Sequence, residues 1–113
     1  MIVTPEQIPS IVAEAQQAAY EAAAKFFKEK LGGRDQYACG FASTKIYGVK
    51  GSTRIGKALS AAGVRKSYDG SFELWNPSKF GCQNVDTLEE GARAAAEVFK
   101  KYGFKAYAWS RLD

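Results

Sequence analysis

The chain has no histidine, two cysteines, one methionine and three prolines in 113 residues. Without imidazole it lacks the side chain that titrates nearest neutrality and the commonest metal ligand. Cys39 and Cys82 stand alone, without CxxC spacing, which argues against a zinc site, a thioredoxin-type centre and a Cys/His nucleophile. Both thiols are expected to be reduced, with Cys39 a small buried strand residue. No window approaches the ~20 apolar residues that span a bilayer. The opening MIVTPEQIPS has no basic region leading into an apolar run, so the expectation is a soluble, cytoplasmic chain with no membrane partner. The acids Asp35, Asp69, Glu73, Asp86, Glu89 and Glu90 show neither paired nor metal-ligand spacing. A non-enzymatic protein without metal or cofactor is therefore expected.

What is present is an ordinary globular composition, 46% hydrophobic and 13% aromatic. The length suits one domain over residues 1–113, large enough for a core but too small for paired nucleotide and substrate domains. Sixteen Lys and Arg against twelve Asp and Glu give a net charge of +4, a modest bias towards polyanionic partners.

Thr4-Pro5-Glu6-Gln7 has the form of a helix start, with a capping hydroxyl, proline at the first helical position and Gln three residues after the cap. Pro9-Ser10 offers a second start. The alanine-rich run that follows repeats Ile8, Val12, Ala15, Ala19, Ala22 and Phe26 at helical spacing until Gly32-Gly33, which predicts one long amphipathic helix within residues 1–33. YACGFASTKIYGV, Tyr37 to Val49, is aromatic and β-branched and reads as a strand. Ser52 can cap a helix that carries Ile55, Leu59 and Ala62 on one face and stops at Gly63. VRKSY and SFELWN flank Asp69-Gly70, a strong hairpin signal. Asn76-Pro77 ends the second hairpin strand, and KFGCQNV is a loop. Asp86 or Thr87 then caps a third helix with a Leu88, Ala92, Ala95, Phe99 and Tyr102 stripe, Thr87 and Glu90 forming a capping box. FKAYAWSR closes the chain as a strand. Residues 34–113 thus have the β-α-β-β-α-β order of a ferredoxin-like antiparallel sheet, an α+β domain preceded by a long N-terminal helix.

Alternation along the strands separates two faces. Ala38, Gly40, Ala42 and Ile46, with Phe104, Ala106 and Ala108 and with Phe72 and Leu74, suit close approach by alanine-rich helices. The other face carries Phe41, Ser43, Lys45, Tyr47, Glu73, Trp75, Lys105, Tyr107, Trp109 and Arg111. Rings interleaved with cations on an open sheet suit single-stranded nucleic acid, whose bases stack on aromatics while Lys and Arg hold its backbone. Lys45, Tyr47, Trp75, Lys105, Tyr107, Trp109 and Arg111 are the candidate contacts. Two alternatives use the same face: the N-terminal helix can cover it, or it can form a homodimer or another protein contact. The RNA-recognition aromatic motif is absent, since SFELWN does not match it.

GVKGSTRIGKAL contains Gly51-x4-Gly56-Lys57, close to a phosphate-cradling loop. Ala58 replaces the hydroxyl that would hold Mg²⁺, so nucleotide hydrolysis is not expected. The predicted helix start still gathers Lys50, Ser52, Thr53, Arg54 and Lys57 near unpaired N–H groups, a candidate phosphate seat.

SFELWNPS (Ser71 to Ser78) and GFKAYAWSRLD (Gly103 to Asp113), with the helix, glycine and strand order between them, resemble short uncharacterised proteins encoded by tailed bacteriophages, including marine ones. The likeness covers roughly the chain after Tyr37, and GF-x-A-Y-A-x-S-R-L-D is its most specific part. The resemblance implies a small product of infection in the host cytoplasm, for which nucleic acid is a common partner, and it assigns no catalytic residue.

Overall fold

The computed structural model describes residues 3–35, 38–82 and 84–112. The expected strand start at Tyr37, the loop position Gln83 and the closing Asp113 lie outside the described residues. Thr4 begins the first helix as its sequence suggests: its N–H donates to Gln7 Oε1 at 2.8 Å and its C=O accepts from the Gln7 N–H at 3.0 Å. A 3-10 turn over Pro5–Gln7 leads into α1 (Ile8–Leu31), where Pro9 occupies the first turn and sacrifices no intrahelical bond. Gly32, at φ 62, ends α1 in the left-handed conformation that glycine adopts without strain. The buried stripe is Ile8, Ile11, Val12, Ala15, Ala19 and Ala23. It departs from the expected Ala22 and Phe26, which are half-buried, because it advances in steps of four, the ridge along which helices commonly pack.

The remaining elements are β1 (Gly40–Tyr47), α2 (Arg54–Ala61), β2 (Arg65–Lys66), β3 (Phe72–Trp75), α3 (Val85–Lys101) and β4 (Lys105–Leu112). They form an α+β arrangement whose four-stranded sheet has the order β2-β3-β1-β4, every neighbouring pair antiparallel. The hairpin forms where Asp69-Gly70 places it, with Gly70 at φ 90 and its N–H bonded to Ser67 C=O at 3.1 Å. Its first strand is shorter than VRKSY suggests, because Gly63, at φ 94, is still leaving α2 and only Arg65 and Lys66 remain to pair.

The helix starts correct two expectations. In α2 the cap is Thr53 rather than Ser52, its Oγ1 accepting from the Gly56 N–H at 3.0 Å. In α3 the cap is Asn84 rather than Asp86 or Thr87, its Oδ1 accepting from the Thr87 N–H at 2.9 Å and hydroxyl at 3.0 Å. Val85 and Thr87 are buried, so packing draws the helix start earlier than polarity alone indicates. Cys39 is half-buried, not buried, since it stands just outside β1 in a single bridge to Asn84. Cys39 and Cys82 are both free thiols.

All three helices share one side of the sheet. Ile46, Phe72, Leu74 and Ala106 from the strands join a single core with Ile11 and Ala15 of α1, Leu59 of α2 and Phe99 of α3. The Thr44 hydroxyl ties the sheet to this layer by donating to Ala92 C=O at 2.8 Å. At the far end of α3 the Tyr102 hydroxyl donates to Glu14 Oε1 at 2.6 Å, and Lys101 pairs with the same carboxylate.

Candidate nucleic-acid interface

Because α1 packs on α3 and α2, it leaves the opposite sheet face uncovered. Direct cross-strand partners point to the same side of a sheet, so the register lays out that face row by row. One row runs Trp75, Ser43, Trp109 across β3, β1 and β4, and the next runs Arg65, Glu73, Lys45, Tyr107 across all four strands. Phe41 pairs with Arg111, and Tyr47 pairs with Lys105. The seven candidate contacts, Lys45, Tyr47, Trp75, Lys105, Tyr107, Trp109 and Arg111, therefore come together on one surface. Trp75 is 52% exposed and Tyr107 55%.

The rings form two groups with Lys45 between them. Phe41 and Trp75 lie 5.5 Å apart at their centroids, and Tyr47 and Tyr107 lie 5.9 Å apart. Lys45 Nζ is 5.1 Å from the Trp109 ring, while the Arg111 guanidinium is 5.7 Å from Phe41 and 6.0 Å from Trp109. These cations sit at the distance where a ring face attracts positive charge.

Carboxylates that the sequence did not mark as part of a site also belong here. Glu73 Oε2 accepts the hydroxyl of Ser43, which stands between the two tryptophans, at 2.6 Å. Asp69 reaches back from the hairpin turn to Lys45 Nζ at 3.0 Å. The Ser71 hydroxyl and N–H, at 2.6 and 3.0 Å, with Lys45 beside them, hold the Asp69 carboxyl well below the usual carboxylate range. The hydrogen bond that Lys45 donates to Asp69 raises the Lys45 pKa, so this ammonium stays charged. Alternation already placed Glu73 on this face, two residues before Trp75, without marking its bond to Ser43. The reach of Asp69 depends on how the turn folds over β1, which spacing does not encode.

The α2 start lies on the helix side and does not join this face. Thr53 Oγ1 occupies the Gly56 N–H and donates to Lys50 C=O at 2.6 Å. A Cβ at Gly56 would fall 2.2 Å from that carbonyl, so the Lys50-Gly51 backbone lies directly against the first turn. Arg54 stands 3.5 Å from Glu6 in an exposed pair, and Lys50, Ser52 and Lys57 face solvent.

Burial raises the Cys82 pKa, keeping it a thiol. Among the described residues no group of three or more His, Cys, Asp or Glu side chains could hold a metal ion, and no helix is long and apolar enough to cross a membrane. No protein-family model, curated protein or solved structure matches the chain.

Proposed function

We propose that this protein binds single-stranded nucleic acid, without catalysis, on the sheet face built by Lys45, Tyr47, Trp75, Lys105, Tyr107, Trp109 and Arg111. The observation that carries the reading is the exposure of Trp75 and Tyr107 on the sheet face that α1 leaves open, with Lys100 of α3 reaching to 5.5 Å from the Tyr107 ring. Large rings left in water on a sheet, with four cations (Lys45, Arg65, Lys105, Arg111) against two carboxylates (Glu73, Asp69), fit bases that stack and phosphates that need positive charge. The antiparallel order β2-β3-β1-β4, with β1 and β2 each paired to β3, supports reading the scaffold as ferredoxin-like.

The test is fluorescence anisotropy of a labelled single-stranded oligonucleotide, titrated at about 50 mM and about 200 mM salt, where phosphate contacts differ strongly in strength. Binding at the lower salt that weakens at the higher, and that Trp109→Ala and Arg111→Ala both reduce, is the expected result. Absence of binding at about 50 mM salt overturns the reading.

A second reading is contact between two copies through the same face, favoured by the exposed Trp75 and Tyr107, since aromatic residues and Arg are enriched in interface cores. Mass in solution separates the two: a stable dimer that buries both rings leaves no free platform.

A further inference from the structure

Where β2 ends early, the outer edge of β3 opens into a cleft of about 450 Å³ lined by Gln16, Gly63, Arg65, Glu73, Trp75 and Lys79 among others. Its volume falls in the range of small-ligand sites, roughly 300–1,000 Å³. The cleft shares Glu73, Arg65 and Trp75 with the aromatic face, so it continues that face around the sheet edge.

We infer that this cleft takes one nucleotide of the bound strand and selects bases that carry an exocyclic amino group. The inference rests on the single-strand reading above. Three features of the cleft argue for it. Trp75 supplies a half-exposed indole for stacking. Glu73, which lines the cleft, supplies a carboxylate, one oxygen of which is anchored by the Ser43 hydroxyl at 2.6 Å. Arg65 and Lys79 supply two cations against that single carboxylate, a net positive charge suited to the phosphate the nucleotide brings. The β3 backbone adds to this. The Asn76 N–H donates to Ala42 C=O at 3.0 Å, so strand alternation turns the N–H and C=O of Trp75 outward, past the last paired residue of β2.

The selectivity follows from donors and acceptors. Cytosine, adenine and guanine present an amino group that a carboxylate can accept from, whereas the one ring donor of thymine and uracil, N3–H, is flanked on both sides by carbonyl oxygens that a carboxylate repels. Arg65, directly across from Glu73, can donate to the ring nitrogen or carbonyl beside that amino group. A carboxylate in the middle of a polyanion-binding face opposes binding unless it meets a donor, and an amino-bearing base provides one.

The experiment compares labelled oligo(dC), oligo(dA) and oligo(dT) of equal length with the wild-type chain and with Glu73→Gln and Ser43→Ala, all checked for folding by circular dichroism. Wild type is expected to bind oligo(dC) and oligo(dA) about tenfold tighter than oligo(dT), the scale of one hydrogen bond to a charged group. Glu73→Gln is expected to bind oligo(dT) more tightly and lose most of the preference, because an amide can donate to a thymine carbonyl; Ser43→Ala is expected to narrow it. Equal affinity for all three oligomers, unchanged in Glu73→Gln, overturns the selectivity while the stacking platform stands. If no oligomer binds at all, the platform itself fails. Free dCMP is expected to compete only weakly, and dCMP binding as tightly as the oligomer overturns the assignment of the cleft to a strand.

Discussion

The Lys45 ammonium lies 3.0 Å from the Asp69 carboxylate, so the central cation of the aromatic face is already partnered by an acid from the hairpin turn. A phosphate approaching Lys45 has to compete with that acid. Asp69→Asn keeps an oxygen for the Ser71 hydroxyl and N–H but removes the competing charge. It is expected to tighten single-strand binding several-fold and to steepen the salt dependence by about 0.7 in the log–log slope, the share of one added contact. Anisotropy titrations across a salt series check both, and an unchanged slope would place Lys45 outside the contact.

The same pair sets a pH window. Asp69 has a depressed pKa in the fold, so its contribution is fully present above the ordinary carboxylate value of 3.8 and is lost as pH falls towards the folded-state value. Lys45 has a raised pKa, so its contribution is present below 10.5 and is lost as pH rises through the folded-state value. Hydrogen bonds from Lys101 and Tyr102 lower the Glu14 pKa, which adds to the acid side of the profile. The wild-type Tm is expected to fall more steeply than that of Asp69→Asn between roughly pH 4 and pH 2, and to change in parallel with it near neutrality. Thermal melts in a buffer series measure the difference.

Capping gives a sharper mutational contrast. Thr53→Ala leaves the Gly56 N–H without its acceptor and is expected to cost about 1 kcal/mol, whereas Ser52→Ala removes no cap bond and is expected to stay within about 0.5 kcal/mol. Urea unfolding of the two variants decides it, and the reverse order would restore Ser52 as the cap.

That pair also marks what the sequence could and could not reveal. Ser52 and Thr53 are both good caps one position apart, and the fold uses Thr53, where the Lys50-Gly51 backbone lies against Gly56. The third helix behaves alike: polarity pointed to Asp86 or Thr87, but burial of Val85 and Thr87 brings Asn84 into the capping position. Strand faces were legible because alternation is a local rule, and it placed Lys45, Tyr47, Trp75, Lys105, Tyr107, Trp109 and Arg111 on one side of the sheet. The side of the sheet on which α1 packs was not legible, since an amphipathic helix fits either face. Gly40 shows why the helix side was available. A Cβ there would meet Val85 at 2.8 Å and Arg111 C=O at 2.4 Å, so the small residue is needed for β1, β4 and α3 to close together.

A similar close approach exists between α1 and α3. A Cβ at Gly91 would fall 2.8 Å from Ser78 Cβ and 3.1 Å from Ala19 C=O. Alanine is the better helix former by about 1 kcal/mol, so propensity alone predicts that Gly91→Ala stabilises the chain. Overpacking against a backbone carbonyl works in the other direction and typically costs about 1–3 kcal/mol. The expected outcome is net destabilisation in urea unfolding, because the Ala19 carbonyl cannot rotate away as a flexible side chain would. A stabilised variant would mean that α1 shifts freely on α3.

Trp75 and Trp109 differ in a way that fluorescence can separate. Trp75 is half exposed and touches Phe41, whereas Trp109 is less exposed and lies under Lys45 and near Arg111. A stacked base should therefore quench Trp75 more, and Trp75→Phe is expected to abolish most of the emission change on adding an oligonucleotide while keeping a ring to stack on. Trp75→Ala removes that ring as well; it is expected to weaken binding by about 1–3 kcal/mol, the scale of one base–aromatic stack. Its cost to the fold should be smaller, about 0.5–1.5 kcal/mol beyond lost burial, from the Phe41 contact alone. Binding lost in Trp75→Ala with only a few degrees lost in Tm identifies a platform, since a ring whose main work is packing would lower stability and affinity together.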